Sequence, residues 1–308
     1  MARTRGRGRA RGGRDEGPSQ EQPEIQEEAP SQVEEEEQSD AEESSWPLLT
    51  LQKYHRVSWL IKGRELPRLK VRHSIAFLDW DDRYRPYLLQ SGFYGIIQIT
   101  GWMSDPNLVM GFIERWRQET HTFNLPVGEM SITLEDVAVL LGLPVDGIPL
   151  CDNTDQNWPQ IVFDCLGIRP EGTAWANKSA LRLGWLRHNF MKLPQNASED
   201  QVQCYVRAYI LIMLANFVFV DLTGDSIPCI YLPMLQDLSR TRSYAWGAML
   251  LARLYRNLCR GCKWDTQQVG GCIGLLQFWI WERFEAFRPQ KLSEAEPFWL
   301  DTPETRPP

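Results

Sequence analysis

Cys259-Arg260-Gly261-Cys262 comes closest to metal chemistry in this sequence. CxxC is a zinc-ligand spacing, and Cys272 follows further on. A closed zinc site requires four ligands. No second pair matches, and no histidine follows Cys262. Cys259, Cys262 and Cys272 therefore read as buried or helix-end cysteines, with no metal or cofactor expected. A metallophosphatase needs His and Asp ligands on several loops, holding two metals about 3.5–4 Å apart. Only Gly224-Asp225-Ser226 matches part of a GDxHG, GDxxDRG or GNHE motif, and the histidines are four: His55, His73, His121 and His188. Aminotransfer chemistry needs a lysine for the cofactor aldehyde within a phosphate cup. Nothing around Lys178 or Lys192 resembles one. Asp79, Asp81 and Asp82 have the make-up of a two-metal nuclease cluster, but adjacent acids before a helix fit a cap and a solvated turn better. With seven cysteines and four histidines some Cys–His pairing is always available, so that pattern carries no signal.

Polar residues gather more informatively at Glu114, Arg115, Arg117, Glu119, Thr120 and His121. They form a candidate interaction surface where a helix meets a hairpin, with Arg115 and Arg117 suited to phosphate or carboxylate. The competing reading is structural: helix-end ion pairs and satisfied turn groups. The elements around them are well marked. Asp105 caps a helix with Pro106 at its first position, and Leu108, Val109, Phe112, Ile113 and Trp116 recur on one face. His121–Leu125 and Glu129–Thr133 alternate about Pro126-Val127-Gly128, which predicts a hairpin. Thr133 then caps a short helix with Glu135 and Asp136 in its first turn, Gly142 at its end and Pro144 beyond.

Elsewhere the spacing predicts helices over residues 51–61, 81–90, 159–165, 179–190, 243–259 and 270–284. Ser198-Glu199-Asp200-Gln201 opens another as a capping box, running toward Phe217. Residues 96–100 fit a strand or a helix end, and 227–232 a brief strand. Gly271 and Gly274 suggest close helix approach. The longest apolar stretch, Ala208–Val220, falls short of the roughly 20 residues of a membrane span. It reads as a core helix running into a strand. The expectation is a mainly α fold: a single helical domain over 46–287 with one or two short β-hairpins. A disordered head (1–45) precedes it and a Pro-rich, frayed tail (288–308) follows.

ERWRQETHTFNLPVGEMSITLEDVAVLLGLPVDG, SEDQVQCYVRAYILIMLANFVFVDLTGDSIPCIYLPMLQDL, YAWGAMLLARLYRNLCRG and GGCIGLLQFWIWERF together resemble the plant mobile domain family. This is the MAINTENANCE OF MERISTEMS-like or aminotransferase-like plant mobile domain, also found in long forms of a plant serine/threonine phosphatase. The resemblance covers about Leu49 to Phe284. It implies a non-enzymatic nuclear protein, acting in meristem maintenance, genome stability and silencing of transposable elements through nuclear-protein or chromatin partners. It implies no small-molecule substrate, and a domain that usually continues past Phe284. The alternatives are a transposon-derived nucleic-acid-binding module and a metal-dependent hydrolase.

Charge is segregated. Residues 1–14 carry six arginines (Arg3, Arg5, Arg7, Arg9, Arg11 and Arg14) and no acid, whereas residues 15–43 carry 13 acids and no base. Together they account for the whole net charge of −7, leaving the remainder neutral. The neutral body gives no bulk electrostatic case for nucleic acid, while the arginine head suits weak, salt-sensitive contact with phosphates. No secretory signal or membrane span is read, and scattered cysteines fit a reducing compartment.

Overall fold

The computed structural model describes residues 50–66, 68–72, 77–99, 104–151, 153–222 and 224–289. The arginine head, Trp46, His73, Thr100 and the tail from residue 290 lie outside them.

A 3-10 turn at Gln52–Tyr54 leads to α1 (Arg56–Ile61). The single helix expected over 51–61 is broken at His55, which is extended and caps α1 by accepting from Val57 N at Nδ1, 3.2 Å. Strand β1 (Lys70–Val71) follows, then a 3-10 turn capped by Asp81, then α2 (Arg85–Ser91) and α3 (Tyr94–Gln98). Residues 94–98 are thus helical. Helix α4 (Pro106–Ile113) is capped by the Asp105 carboxylate, and β2 (Trp116–Arg117), β3 (Thr122–Leu125) and β4 (Gly128–Met130) form one antiparallel sheet. The expected hairpin is β3–β4, and β2 extends it. Helix α5 (Leu134–Leu141) has a full capping box between Thr133 and Asp136 and a left-handed Gly142 at its end.

After α6 (Trp158–Leu166) come β5 (Trp175–Asn177) and β6 (Ala180–Arg182), then α7 (Leu183–Phe190). Residues 180–182 are strand rather than the expected helix start. They pair on one side with β5 and on the other with β7 (Ser226–Pro228), and ladder pairing overrides local helical spacing. Strand β7 stops at Pro228, where a 3-10 turn enters α9 (Leu232–Leu235). Between α7 and β7 runs α8 (Glu199–Met213), opened by the Ser198–Gln201 capping box. It continues as a buried π-helical turn, Leu214–Val218, in place of the expected strand.

Helix α10 (Trp246–Gly261) begins three residues later than its spacing suggests, after a 3-10 turn at Thr241–Ser243, and β8 (Gln268–Val269) pairs parallel with β1. Helix α11 (Ile273–Arg283) also starts late. Gly271 sits at φ +85°, outside the helix, and a Cβ on Gly270 would lie 2.6 Å from the Val220 carbonyl oxygen. Gly270 thus lies against the Val220 backbone, while a Cβ on Gly271 would meet the Asn257 side chain of α10 at 3.1 Å, a close approach to a helix. Arg288 is tied back, its Nε donating to the Trp281 carbonyl at 3.1 Å, so the tail is anchored at its first residue.

The fold of the described residues is mainly helical. Helices α6 and α7 pack on α8, whose residues from Val206 to Met213 are all buried. Helices α10 and α11 pack on α5. Residues 199–218 are long and apolar enough to cross a membrane, yet 78% of that window is buried inside the protein, as a core helix requires. Arg207 lies in this core and donates to the carbonyls of Cys165, Leu235 and Gln236 at 2.8–3.1 Å.

Candidate functional site

Trp116 organises the stretch that holds the candidate polar residues. Its ring is fully buried against Phe123 (4.8 Å between centroids) and Tyr255 (5.1 Å), and Nε1 donates to Cys259 Sγ at 3.2 Å. The Trp116 carbonyl accepts from His55 Nε2 at 3.0 Å, so one ring of His55 ties β2 to the cap of α1. Burial first of all holds His55 below the usual imidazole range, and nearby Arg117 and Arg56 add to this.

The six candidate residues divide by what they touch. Glu114 is the C-cap of α4, and Arg115 folds back so that Nη1 donates to the Gly111 carbonyl at 2.6 Å. Arg117 Nη1 donates to Gln52 Oε1 at 2.6 Å, and Glu119 Oε1 accepts from Leu51 N at 2.9 Å. Both hold the N-terminal segment against the sheet. The Thr120 and Thr122 hydroxyls share a 2.6 Å hydrogen bond. His121 has φ 54°, the left-handed region, where a non-glycine residue is uncommon. Its ring lies beside Trp116 and Tyr255, and its carbonyl accepts from Ser131 Oγ at 2.7 Å. Arg115, Thr120 and His121 are exposed, while Glu114, Arg117 and Glu119 are half-buried.

Two anchors were not singled out from the sequence. Asp136 accepts from Thr133 N (2.8 Å), Thr133 Oγ1 (2.9 Å) and Arg283 Nη2 (2.6 Å), locking α5 to α11. Burial pushes its carboxyl up, but these donors outweigh burial and hold it below the usual carboxylate range. Tyr255 hydrogen-bonds Ser131 and the Ile132 carbonyl, fixing the chain between β4 and α5. The N-cap at Thr133 and the acids of the first turn were visible in sequence; the reciprocal Asp136 bond and partners more than 100 residues away were not.

Cys262 and Cys272 are fully buried, and burial pushes both thiols up to about 12. Burial raises Cys259 too. Burial thus favours the neutral thiol at all three. Asp81 caps its turn and pairs bidentately with Arg83 at 2.8 Å, and Asp82 accepts from Trp80 Nε1. Asp225 pairs with Arg182 across an open depression lined also by Thr173, Trp185 and His188. Among the described residues no three His, Cys, Asp or Glu side chains are placed to hold a metal ion.

Fold and site define a mainly helical protein whose described polar groups close turns and helix ends. The plant mobile domain family model matches residues 92–306, and the chain belongs to that family. Among Arabidopsis thaliana relatives, it is 36% identical over 258 residues to "Serine/threonine-protein phosphatase 7 long form homolog", covering 82% of this chain and 19% of that protein. It is 36% identical to "Protein MAIN-LIKE 1" (79% of this chain, 49% of the relative). It is 31% identical to "Protein MAINTENANCE OF MERISTEMS" (82% and 54%). The chain thus spans about half or less of the curated relatives it matches. No solved structure matches it.

Proposed function

We propose that this chain is a non-enzymatic nuclear docking module acting in meristem maintenance and transposable-element silencing through protein or chromatin partners. The observation that carries this reading is its kinship to a protein named for meristem maintenance over 82% of its own length. The phosphatase name is carried by a relative of which this chain matches only 19%, which supports placing that activity in other parts of that protein. Consistent with docking rather than catalysis, Arg117 and Glu119 are engaged in holding the N-terminal segment. Arg115, Thr120 and His121 present the exposed remainder of the surface.

The test is a fluorescent fusion in plant cells, with affinity capture from nuclei and a phosphate-release assay on the purified chain with manganese. Nuclear enrichment, with protein partners lost on Arg115→Glu plus His121→Ala, supports the reading. Exclusion from the nucleus, or metal-dependent phosphate release by the chain alone, overturns it.

A further inference from the structure

A neutral body can still concentrate one sign of charge locally. Residues 53–72 hold seven Lys and Arg, six of them outside the core because Arg56 is buried, against one acid, Glu65. The fold lays a second basic stretch alongside them. His55 bridges to Lys263, Trp264 N donates to the Tyr54 carbonyl at 3.0 Å, and β1 pairs with β8 through Lys70–Gln268. Residues 260–268 thus run beside both α1 and β1 and add Arg260 and Lys263, with Asp265 the one acid.

On β1 and its flanks the charges alternate with the core. Leu69 is buried and Val71 packs inward, so Arg68, Lys70 and Arg72 follow at every second position, about 6–7 Å apart. Gln268 Oε1 orients Arg72 by accepting from its Nε at 3.0 Å. Elsewhere on the same two segments, Trp59 and Trp264 stack with centroids 4.1 Å apart and planes 15° from parallel. The Arg64 guanidinium lies over Trp59 at 4.1 Å. A row of cations at this even spacing suits the regularly repeated charges of a phosphate backbone, and the Arg64–Trp59–Trp264 stack makes the ground beside α1 rigid.

We propose that the strip formed by residues 53–72 and 260–268 binds nucleic acid through its phosphates, without sequence preference. This surface adjoins the 114–121 docking face, where His55 meets the Trp116 carbonyl, but its cations are different side chains from Arg115 and His121. The test is fluorescence anisotropy of the full chain with a labelled mixed-sequence DNA, from about 50 to 200 mM salt. Three variants are compared: Arg68→Gln, Lys70→Gln, Arg260→Gln and Lys263→Gln combined; the six head arginines, Arg3 to Arg14, changed to Gln; and Lys178→Gln, Lys192→Gln and Arg240→Gln combined as a control. Unchanged circular dichroism certifies each fold.

The strip variant is expected to lose on the order of tenfold or more in affinity, and its log–log salt slope to shallow by about 3–4, one increment of about 0.9 per phosphate contact removed. The control is expected to match the native chain. Native-like binding by the strip variant, or binding abolished by the head variant alone, overturns the proposal. So does tighter capture of labelled polyglutamate than of DNA. Nuclear retention of protein partners is read separately, so either reading can fail without the other.

Discussion

Replacing Asp136 with asparagine keeps the shape of the α5 cap and removes its charge, which isolates what the carboxylate contributes. Hydrogen bonds to a charged group are worth about 1.5–3 kcal/mol and neutral ones about 0.5–1.5. Negative charge in the first helical turn adds about 0.3–1 kcal/mol. The Arg283 side chain is 51% exposed, so its ion pair with Asp136 is discounted to the surface range of about 0–1 kcal/mol. Together these set the loss near 2 kcal/mol, or about 4–8 °C in Tm for a body of this size. The loss depends on pH with a definite sign. The folded carboxyl titrates below its unfolded value, so its stabilisation is complete above about pH 4 and vanishes as pH falls through the folded pKa. Urea melts of both proteins at neutral pH and in steps down to about pH 3 measure the gap. A difference under about 0.5 kcal/mol at neutral pH, or one that persists undiminished in acid, refutes this account of the anchor.

Arg207→Met strands two buried carbonyls and a part-buried one and is expected to cost about 3 kcal/mol, with Arg207→Lys recovering little because one ammonium cannot reproduce the planar fork; denaturant melts of both decide it. His55 titrates lower when folded than its ordinary 6.5, so the unfolded chain binds the proton more tightly and stability falls as pH drops below about 6.5. His55→Gln should flatten that part of the profile, and a slope that survives the substitution would assign it to another group. With an alkylating reagent near pH 8, exposed Cys151 is expected to react first. Cys165, Cys229, Cys262 and Cys272, pushed up to about 11–12, should stay unmodified until denaturant is added, as peptide mass mapping would show. Early labelling of Cys272 would contradict its burial.

Much of the helical framework could be read directly, because helix ends are written locally. Asp105-Pro106, Thr133 with Asp136, Gly142, and Ser198 with Gln201 each sit within four residues of the groups they satisfy, and each lies where expected. Errors fell where a distant partner decides the outcome. Ala180–Arg182 has helical spacing but joins a ladder with Ser226–Pro228, and the helix expected from Gly270 begins only at Ile273, because Gly271 N is held by the Val220 carbonyl. The polar cluster at 114–121 was legible as a group, yet its use was not. Only the structure puts Gln52 and Leu51 within reach of Arg117 and Glu119. The basic strip was hidden similarly, since Arg260 and Lys263 join it from residues about 200 positions further on.

The parallel pairing of Lys70–Val71 with Gln268–Val269 has a consequence for synthesis in the cell. The first of these strands leaves the ribosome early, and its mate is translated almost 200 codons later. At roughly 5–20 residues per second the wait is about 10–40 s. Until then the nascent chain carries an unsealed seam, with the inward faces of Leu69 and Val269 open to chaperones. A fragment cut to begin at Gly92, where the family match starts, would keep that seam open permanently.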